Sequence, residues 1–276
     1  MTVTDAQVHI WPAETPSRPW APGGAGYAHR RSFGVAELLA EMDTAGVDRA
    51  VLVPPGWEGD RNDYVLGSAA AHPGRLAVMV RLPPAAPLPP AQLDALLEQP
   101  GVVGVRLTFT RGAARSWLDD GTADWLWPLL AARRTPLALY APGSLAAVRR
   151  IAERHPQLPV AVDHAGLALG ARGADLGAAL AVVRTLARLP NVALKASCLP
   201  SYADDGYPFR SVHGFVHGLL DAFGPRRVFW GSDLTRLPCT YRQSVHLFTQ
   251  ALGLPEDVVA LLTGGALSEW LGWPAR

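Results

Sequence analysis

His9, His164 and Asp233 carry the side chains best suited to chemistry in this sequence, and each closes a short apolar run. Gln7 and His9 are two residues apart, so on a β-strand they lie on one face and aim at one point. His164 ends Val160-Ala161-Val162-Asp163-His164, and Asp233 ends Val228-Phe229-Trp230-Gly231-Ser232-Asp233. A carboxylate with two imidazoles suits hydrolysis. Ionised Asp233 takes a proton from water, while His9 and His164 donate hydrogen bonds to a carbonyl oxygen as negative charge develops on it.

Arg106, Tyr140 and Lys195 fall at inward registers of other apolar runs and, with Gln7, are the expected substrate-binding groups. Two cations converging on one place point to an anionic substrate, most simply a carboxylate, because their desolvation needs a counter-charge. Pairing of Arg106 with a buried acid such as Asp163 is the competing reading. Lys195 is the one lysine among 25 basic residues, the rest being arginine. If it is more than an accident of coding, a compact ammonium is required there that a guanidinium cannot replace, and a place at the solvated mouth of the site is expected.

Other groups carry less. His213 and His217 have the spacing of a helical zinc pair but no adjacent Glu and no third ligand, so they are expected only to share a helix face. His29, His72, His155 and His246 read as surface residues, with His29 able to reach the site from a long loop. No GxSxG elbow is present, which disfavours a serine nucleophile. Cys198 and Cys239 have no metal or disulfide spacing and read as ordinary buried thiols in a reducing compartment.

What positions these residues is an alternation of short Val-, Leu- and Ala-rich runs with longer segments of helical period. Strands are expected from Val3, Arg49, Leu76, Val102, Pro136, Pro159, Val192 and Arg227. Helices are expected to follow from near Gly34, Arg61, Ala91, Gly121, Gly143, Ala174, Arg210 and Tyr241. Eight βα units close a parallel (β/α)₈ barrel, the TIM-barrel fold, in which a polar residue at a strand's C-terminal end reads as catalytic. Residues 1–276 are taken as one domain. The Pro-, Gly- and aromatic-rich segment 12–33 is expected to form a lid, and 255–276 a helical tail. No GxGxxG follows the first run, so a dinucleotide-binding sheet is disfavoured.

The remaining composition excludes partners. With 25 basic and 24 acidic residues scattered along the chain, the formal charge is +1, which argues against nucleic acid and anionic membrane. Neither a signal peptide nor a spanning apolar segment is evident, so a cytoplasmic location is expected, with a small-molecule substrate and a homodimer as one possible assembly.

Asp5-Ala6-Gln7-Val8-His9-Ile10-Trp11, Gly46 to Val53, Gly101 to Leu107, Val162-Asp163-His164-Ala165-Gly166 and Trp230-Gly231-Ser232-Asp233 occur in an order that resembles the amidohydrolase-2 family. Within it they are most similar to the branch of sugar lactonases and 2-pyrone-4,6-dicarboxylate lactonase. The resemblance covers nearly the whole chain and implies a barrel hydrolase acting on a lactone or similar cyclic ester. It also implies that His164 acts on substrate. The family's first strand usually reads His-x-His, and Gln7 replaces the first histidine here. Tyr140 stands where zinc-dependent decarboxylases of the family place another. No cofactor is therefore expected. If a zinc or manganese ion were held, His9, Asp233 and His164 would be its ligands, and a nonoxidative decarboxylase would become the alternative. A cyclase or dehydratase reusing the same groups, and a non-catalytic binding protein, are the others.

Overall fold

The computed structural model, which describes residues 1–26 and 28–273, turns the alternation into eight parallel strands joined by helices. Tyr27 of the expected lid and residues 274–276 of the expected tail lie outside the described residues. The strands are β1 (Thr4–Val8), β2 (Arg49–Leu52), β3 (Leu76–Val80), β4 (Val102–Thr108), β5 (Leu137–Tyr140), β6 (Val160–Val162), β7 (Val192–Ser197) and β8 (Val228–Gly231). Each pairs with the next in chain order, and the Asp233 N–H donates to the Gln7 carbonyl, 2.9 Å away, where β8 returns to β1. This is the (β/α)₈ barrel. The helices between strands are α1 (Val35–Ala45), α2 (Asp63–Ala71), α3 (Pro90–Leu97), α4 (Leu126–Arg133), α5 (Leu145–Arg154), α6 (Ala174–Val183) and α7 (His213–Phe223); α8 (Tyr241–His246) follows β8. None of the described helices is long and apolar enough to cross a membrane.

Local physics accounts for these elements. Runs such as Leu76–Val80 are buried along their whole length because helices cover one side of the sheet and the barrel interior the other. Helix α5 buries Leu145, Val148, Ile151 and Ala152 at helical spacing and leaves Arg149, Arg150 and Glu153 toward water. Helix α8 starts at a capping box in which Thr240 accepts from the Gln243 amide and Gln243 answers to the Thr240 N–H. Helix α4 begins at Leu126 and not near Gly121. Gly121 has φ of 84° and closes a turn in which Asp120 accepts from the Thr122 N–H.

The interior is filled from below. Ala6, Val51, Met79, Ala138, Ala161, Ala193 and Phe229 meet Ala266, Leu267 and Leu271 in one apolar cluster. The last three belong to α10 (Ala266–Leu271), which with α9 (Glu256–Ala260) and a π turn at Leu261–Gly265 forms the tail that plugs the barrel floor. Small residues converge there so that a helix can approach; a Cβ on Gly264 would lie 2.5 Å from the Thr2 carbonyl oxygen.

At the other end β1 is irregular. Its register shifts between Asp5 and Val8, a bulge that brings both Ala6 and Gln7 to the barrel interior. Asp5 points the other way and holds the bulge, accepting from the Gln7 N–H, the Ser232 N–H and the Tyr241 hydroxyl at 2.9, 2.9 and 2.7 Å. Burial pushes its carboxyl up to about 6 although these hydrogen bonds pull the other way.

Gly104 on β4 gives a test of this packing. A Cβ there would overlap the Pro136 carbonyl oxygen and lie 2.8 Å from Met79 Cε. Because backbone on a neighbouring strand cannot give way, Gly104→Ala should cost about 1–3 kcal/mol, read as a lower urea midpoint at unchanged m-value.

Candidate active site

The C-terminal ends of the strands bring Gln7, His9, Arg106, Tyr140, Asp163, His164, Lys195 and Asp233 into one polar layer above the apolar floor. All but His9 are less than a tenth exposed. Its centre is Asp163. One oxygen accepts from Arg106 Nε at 2.9 Å, and the other lies 3.2 Å from Lys195 Nζ. Burial alone would raise this carboxyl, but the adjacent Lys195 and Arg106 charges hold it well below the usual carboxylate range. Asp163, the competing partner for Arg106, is thus the residue that Arg106 binds. Arg106 Nη1 also donates to Thr108 Oγ1 at 2.5 Å.

Lys195 is not at a solvated mouth. It is 1 % exposed, donates to Gln7 Oε1 at 2.9 Å and has Met79 Sδ at 3.6 Å. The inward register was read correctly from the sequence, but the middle of β7 is deep in the barrel, where an ammonium persists only because Asp163 and Gln7 replace its water.

The two histidines are held by different partners. His9 Nδ1 lies 2.6 Å from the Val53 carbonyl oxygen, which only accepts, so the proton sits on Nδ1 and Nε2 presents a lone pair. Gln7, whose Oε1 is taken by Lys195, turns its amide nitrogen toward that lone pair at 3.4 Å. Burial, only partly offset by Asp233, pulls the His9 imidazole down to about 4, so it is neutral at physiological pH. His164 is held by a hydroxyl. Ser197 Oγ accepts from the His164 backbone N–H at 3.3 Å and lies 2.9 Å from His164 Nδ1; where the hydroxyl donates to Nδ1, the ring proton is on Nε2. Burial holds His164 below the ordinary imidazole value despite the nearby Asp233 and Asp163 charges. Tyr140 sets the ring orientation, meeting it edge-on at 4.9 Å while Arg106 lies 5.7 Å over the Tyr140 ring.

Asp233 completes the group. Its Oδ1 is 3.3 Å from His9 Nε2 without hydrogen-bond alignment, and it has no hydrogen-bonded partner. Asp233, His164 and Ala165 all adopt left-handed backbone, with φ of 53°, 53° and 50°. Such conformations cost energy in non-glycine residues and cluster where a site must aim a side chain. Gly231 makes room below. A Cβ there would stand 3.2 Å from Gln7 Cβ and 3.1 Å from Ser197 Cβ.

Sequence reasoning passed over three residues. Ser197, two positions after Lys195, holds His164 by its backbone N–H and stands against its Nδ1. Val53 contributes only a carbonyl, which no residue type announces. Arg81 ends the otherwise apolar β3 run, and a single charge at the end of such a run was the available signal. The 12–33 segment lies over the β2–α2 connection. Arg18 binds Glu58 at 2.8 and 2.9 Å, and Trp11, His29 and Trp57 make edge contacts. His29 approaches the residues that follow β8, and burial together with the Arg236 charge lowers its imidazole. His213 is tied to the Pro208 carbonyl, and Cys239 is half-buried, not buried.

The donor set does not fit a tightly held divalent metal. His9 Nε2 and Asp233 Oδ1 form a two-donor edge, but Gln7 is a weak ligand already engaged by an ammonium that would repel a dication. Among the described residues no three His, Cys, Asp or Glu side chains group as a metal site.

A nearly closed ring of parallel strands, with a carboxylate and two imidazoles at its C-terminal end above a buried ion-paired cluster, defines a barrel enzyme. Residues 4–266 match the amidohydrolase family, and the chain belongs to it and is a hydrolase. It is 28% identical over 230 residues to the L-fucono-1,5-lactonase of Burkholderia ambifaria, covering 83% of this chain and 79% of that one. It is 27% identical over 219 residues to the 4-sulfomuconolactone hydrolase of Rhizobium radiobacter, covering 75% and 69%. A crystal structure of an amidohydrolase from Burkholderia multivorans with bound zinc superposes with a TM-score of 0.82 at 24% identity, covering 99% of this chain and all of that one. At that identity the likeness is one of fold.

Removing Asp163 should be far more damaging than altering either cation. Asp163→Asn strands Arg106 and Lys195 and should cost about 3–5 kcal/mol. Lys195→Arg forces a larger group into an enclosed space and should cost about 1–3 kcal/mol. Denaturant midpoints of the two variants test the order; a Lys195→Arg protein as stable as wild type would put the lysine back at a solvated position.

Proposed function

We propose that this hydrolase opens a lactone, or a similarly activated cyclic ester, that carries an anionic group, and does so without a metal. The observation that carries the reading is the pair of acceptors, His9 Nε2 and Asp233 Oδ1, facing each other at 3.3 Å. Two lone pairs at that separation repel unless protons lie between them. A water molecule that donates one O–H to each satisfies both and has its own lone pair left to attack. As its oxygen bonds to the lactone carbonyl carbon, Asp233 takes its proton. The developing oxyanion accepts from His164 Nε2–H. Collapse of the adduct breaks the ring C–O bond, and the proton held by Asp233 passes to the departing ring oxygen, giving a hydroxy acid. The sequence alone cast His9 as a donor to the carbonyl. Its Nδ1 bond to Val53 instead supports a role as acceptor, which leaves His164 as the donor.

Two relatives bearing the names lactonase and lactone hydrolase support the substrate class, and the cations around Asp163 support an anion at the mouth. The donor set supports metal independence over the decarboxylase alternative. Arg106 acts indirectly in this scheme, since its Nε is held by Asp163, and Tyr140 acts by orienting His164.

Three measurements test the scheme. Asp233→Asn preserves shape and removes the base, so kcat on lactones should fall by at least roughly 10²-fold; near-normal turnover would take Asp233 out of the mechanism. Because His9 must be neutral to accept, kcat/KM should fall only as pH drops through about 4, and an acid limb near the ordinary imidazole value would sink the acceptor role. Chelator should leave turnover intact, whereas chelator-sensitive activity with stoichiometric zinc or manganese would restore the metal-dependent reading.

A further inference from the structure

Three cations stand on the barrel strands or just past their ends near the polar layer, and two are spoken for. Arg106 gives Nε to Asp163 and Nη1 to Thr108; Lys195 lies against Asp163 and Gln7. The third is Arg81. It follows Met79 by two residues at the end of β3, and Met79 faces the barrel interior, so alternation sends Arg81 to the same side. Its backbone is clamped at both polar atoms by one side chain, Asn62, which accepts from the Arg81 N–H at 2.8 Å and donates to its carbonyl at 3.0 Å. The guanidinium itself is not clamped. Nε and Nη1 are buried with no hydrogen-bond partner, and the one carboxylate in ion-pair range, Asp60, stands 3.8 Å away with nearly half its side chain exposed. Burial and the neighbouring Arg106 charge lower Arg81 to about 10, so it stays charged in spite of both.

A mostly buried, charged guanidinium whose Nε and Nη1 lack hydrogen bonds, and whose only ion-pair carboxylate in range among the described residues is a loose contact with half-exposed Asp60, is costly unless something else completes it. We propose that Arg81 recognises the substrate's carboxylate through the unpartnered N–H groups of its guanidinium and sets the preference for anionic over neutral substrates. The inference rests on the proposed lactonase reading for its substrate, but not for its site. Arg106, bound to Asp163, supplies a positive field at that place without being the primary partner. The fork geometry of a guanidinium suits a planar carboxylate, which a lysine at the same position would meet only as a point charge.

The test compares Arg81→Met and Arg81→Lys with wild type on two lactones of equal ring size, one neutral and one bearing a carboxylate. Arg81→Met should raise KM for the carboxylate-bearing lactone by roughly 10-fold or more, as loss of a charge-assisted pair implies, and leave kcat and KM for the neutral lactone close to wild type. Arg81→Lys should fall between. An equal change for both lactones, or none for either, would overturn the assignment. A structural role predicts a lower melting temperature for ligand-free Arg81→Met, whereas relief of an unpaired buried charge predicts one that is unchanged or higher. Citrate, used as a polycarboxylate probe in a thermal-shift titration, separates this inference from the lactonase reading. If wild type hydrolyses neither lactone, citrate protection of wild type but not of Arg81→Met still supports the site. Equal protection of both proteins removes it.

Discussion

A single buried carboxylate governs the upper half of this barrel. Asp163 has no exposed surface, and both its oxygens are engaged by cations from other strands, Arg106 of β4 and Lys195 of β7. None of the three would be tolerable alone at that depth. Together they convert three desolvation costs into one ion-paired cluster in which two cations share a single carboxylate. Everything nearer the mouth is arranged on it. Lys195 turns Gln7, Gln7 presents its amide to His9, and Arg106 lies over the ring of Tyr140 that packs edge-on against His164.

The same cluster reaches the first strand. Where Gln7 meets Lys195, a tethered, hydrogen-bonded positive charge stands beside β1. The two remaining strong donors, His9 Nε2 and Asp233 Oδ1, are then left as acceptors toward whatever enters between them. The Val53 carbonyl fixes the His9 proton on Nδ1, and the Ser197 hydroxyl stands against Nδ1 of His164, so each imidazole is held at Nδ1.

Much of this was legible in the sequence. Strand starts fall within one residue of those expected from the apolar runs, and Arg106, Tyr140, Lys195 and Asp233 keep the inward period, whereas Gln7 turns inward through the β1 bulge and His164 through left-handed backbone past β6. Depth was not legible, because period two tells which face a side chain takes but not how far down the barrel it sits; Lys195 is the instance. Pairing was legible only as an alternative, since whether Arg106 turns to Asp163 or to substrate depends on a residue 57 positions away. The bulge at β1 had no signal, as it is held by contacts of Asp5 with Ser232 and Tyr241 from the far end of the chain. Arg81 had a signal of its own, a lone charge ending Leu76-Ala77-Val78-Met79-Val80, but no second polar group at strand spacing to mark it as part of a site.

The tail that plugs the floor has a consequence for how the molecule comes into being. Phe229 of β8 packs on Trp270 of α10, and Gly264 is pressed against Thr2 and Thr4 at the start of β1. During synthesis, then, the earliest strand waits for one of the latest helices. Until residues 256–271 have left the ribosome, the underside of the ring is an open apolar mouth, the kind of surface that chaperones hold and that neighbouring chains stick to. Shortening the tail would therefore show first as poor recovery of protein from the cell, before any defect in the chemistry at the opposite face.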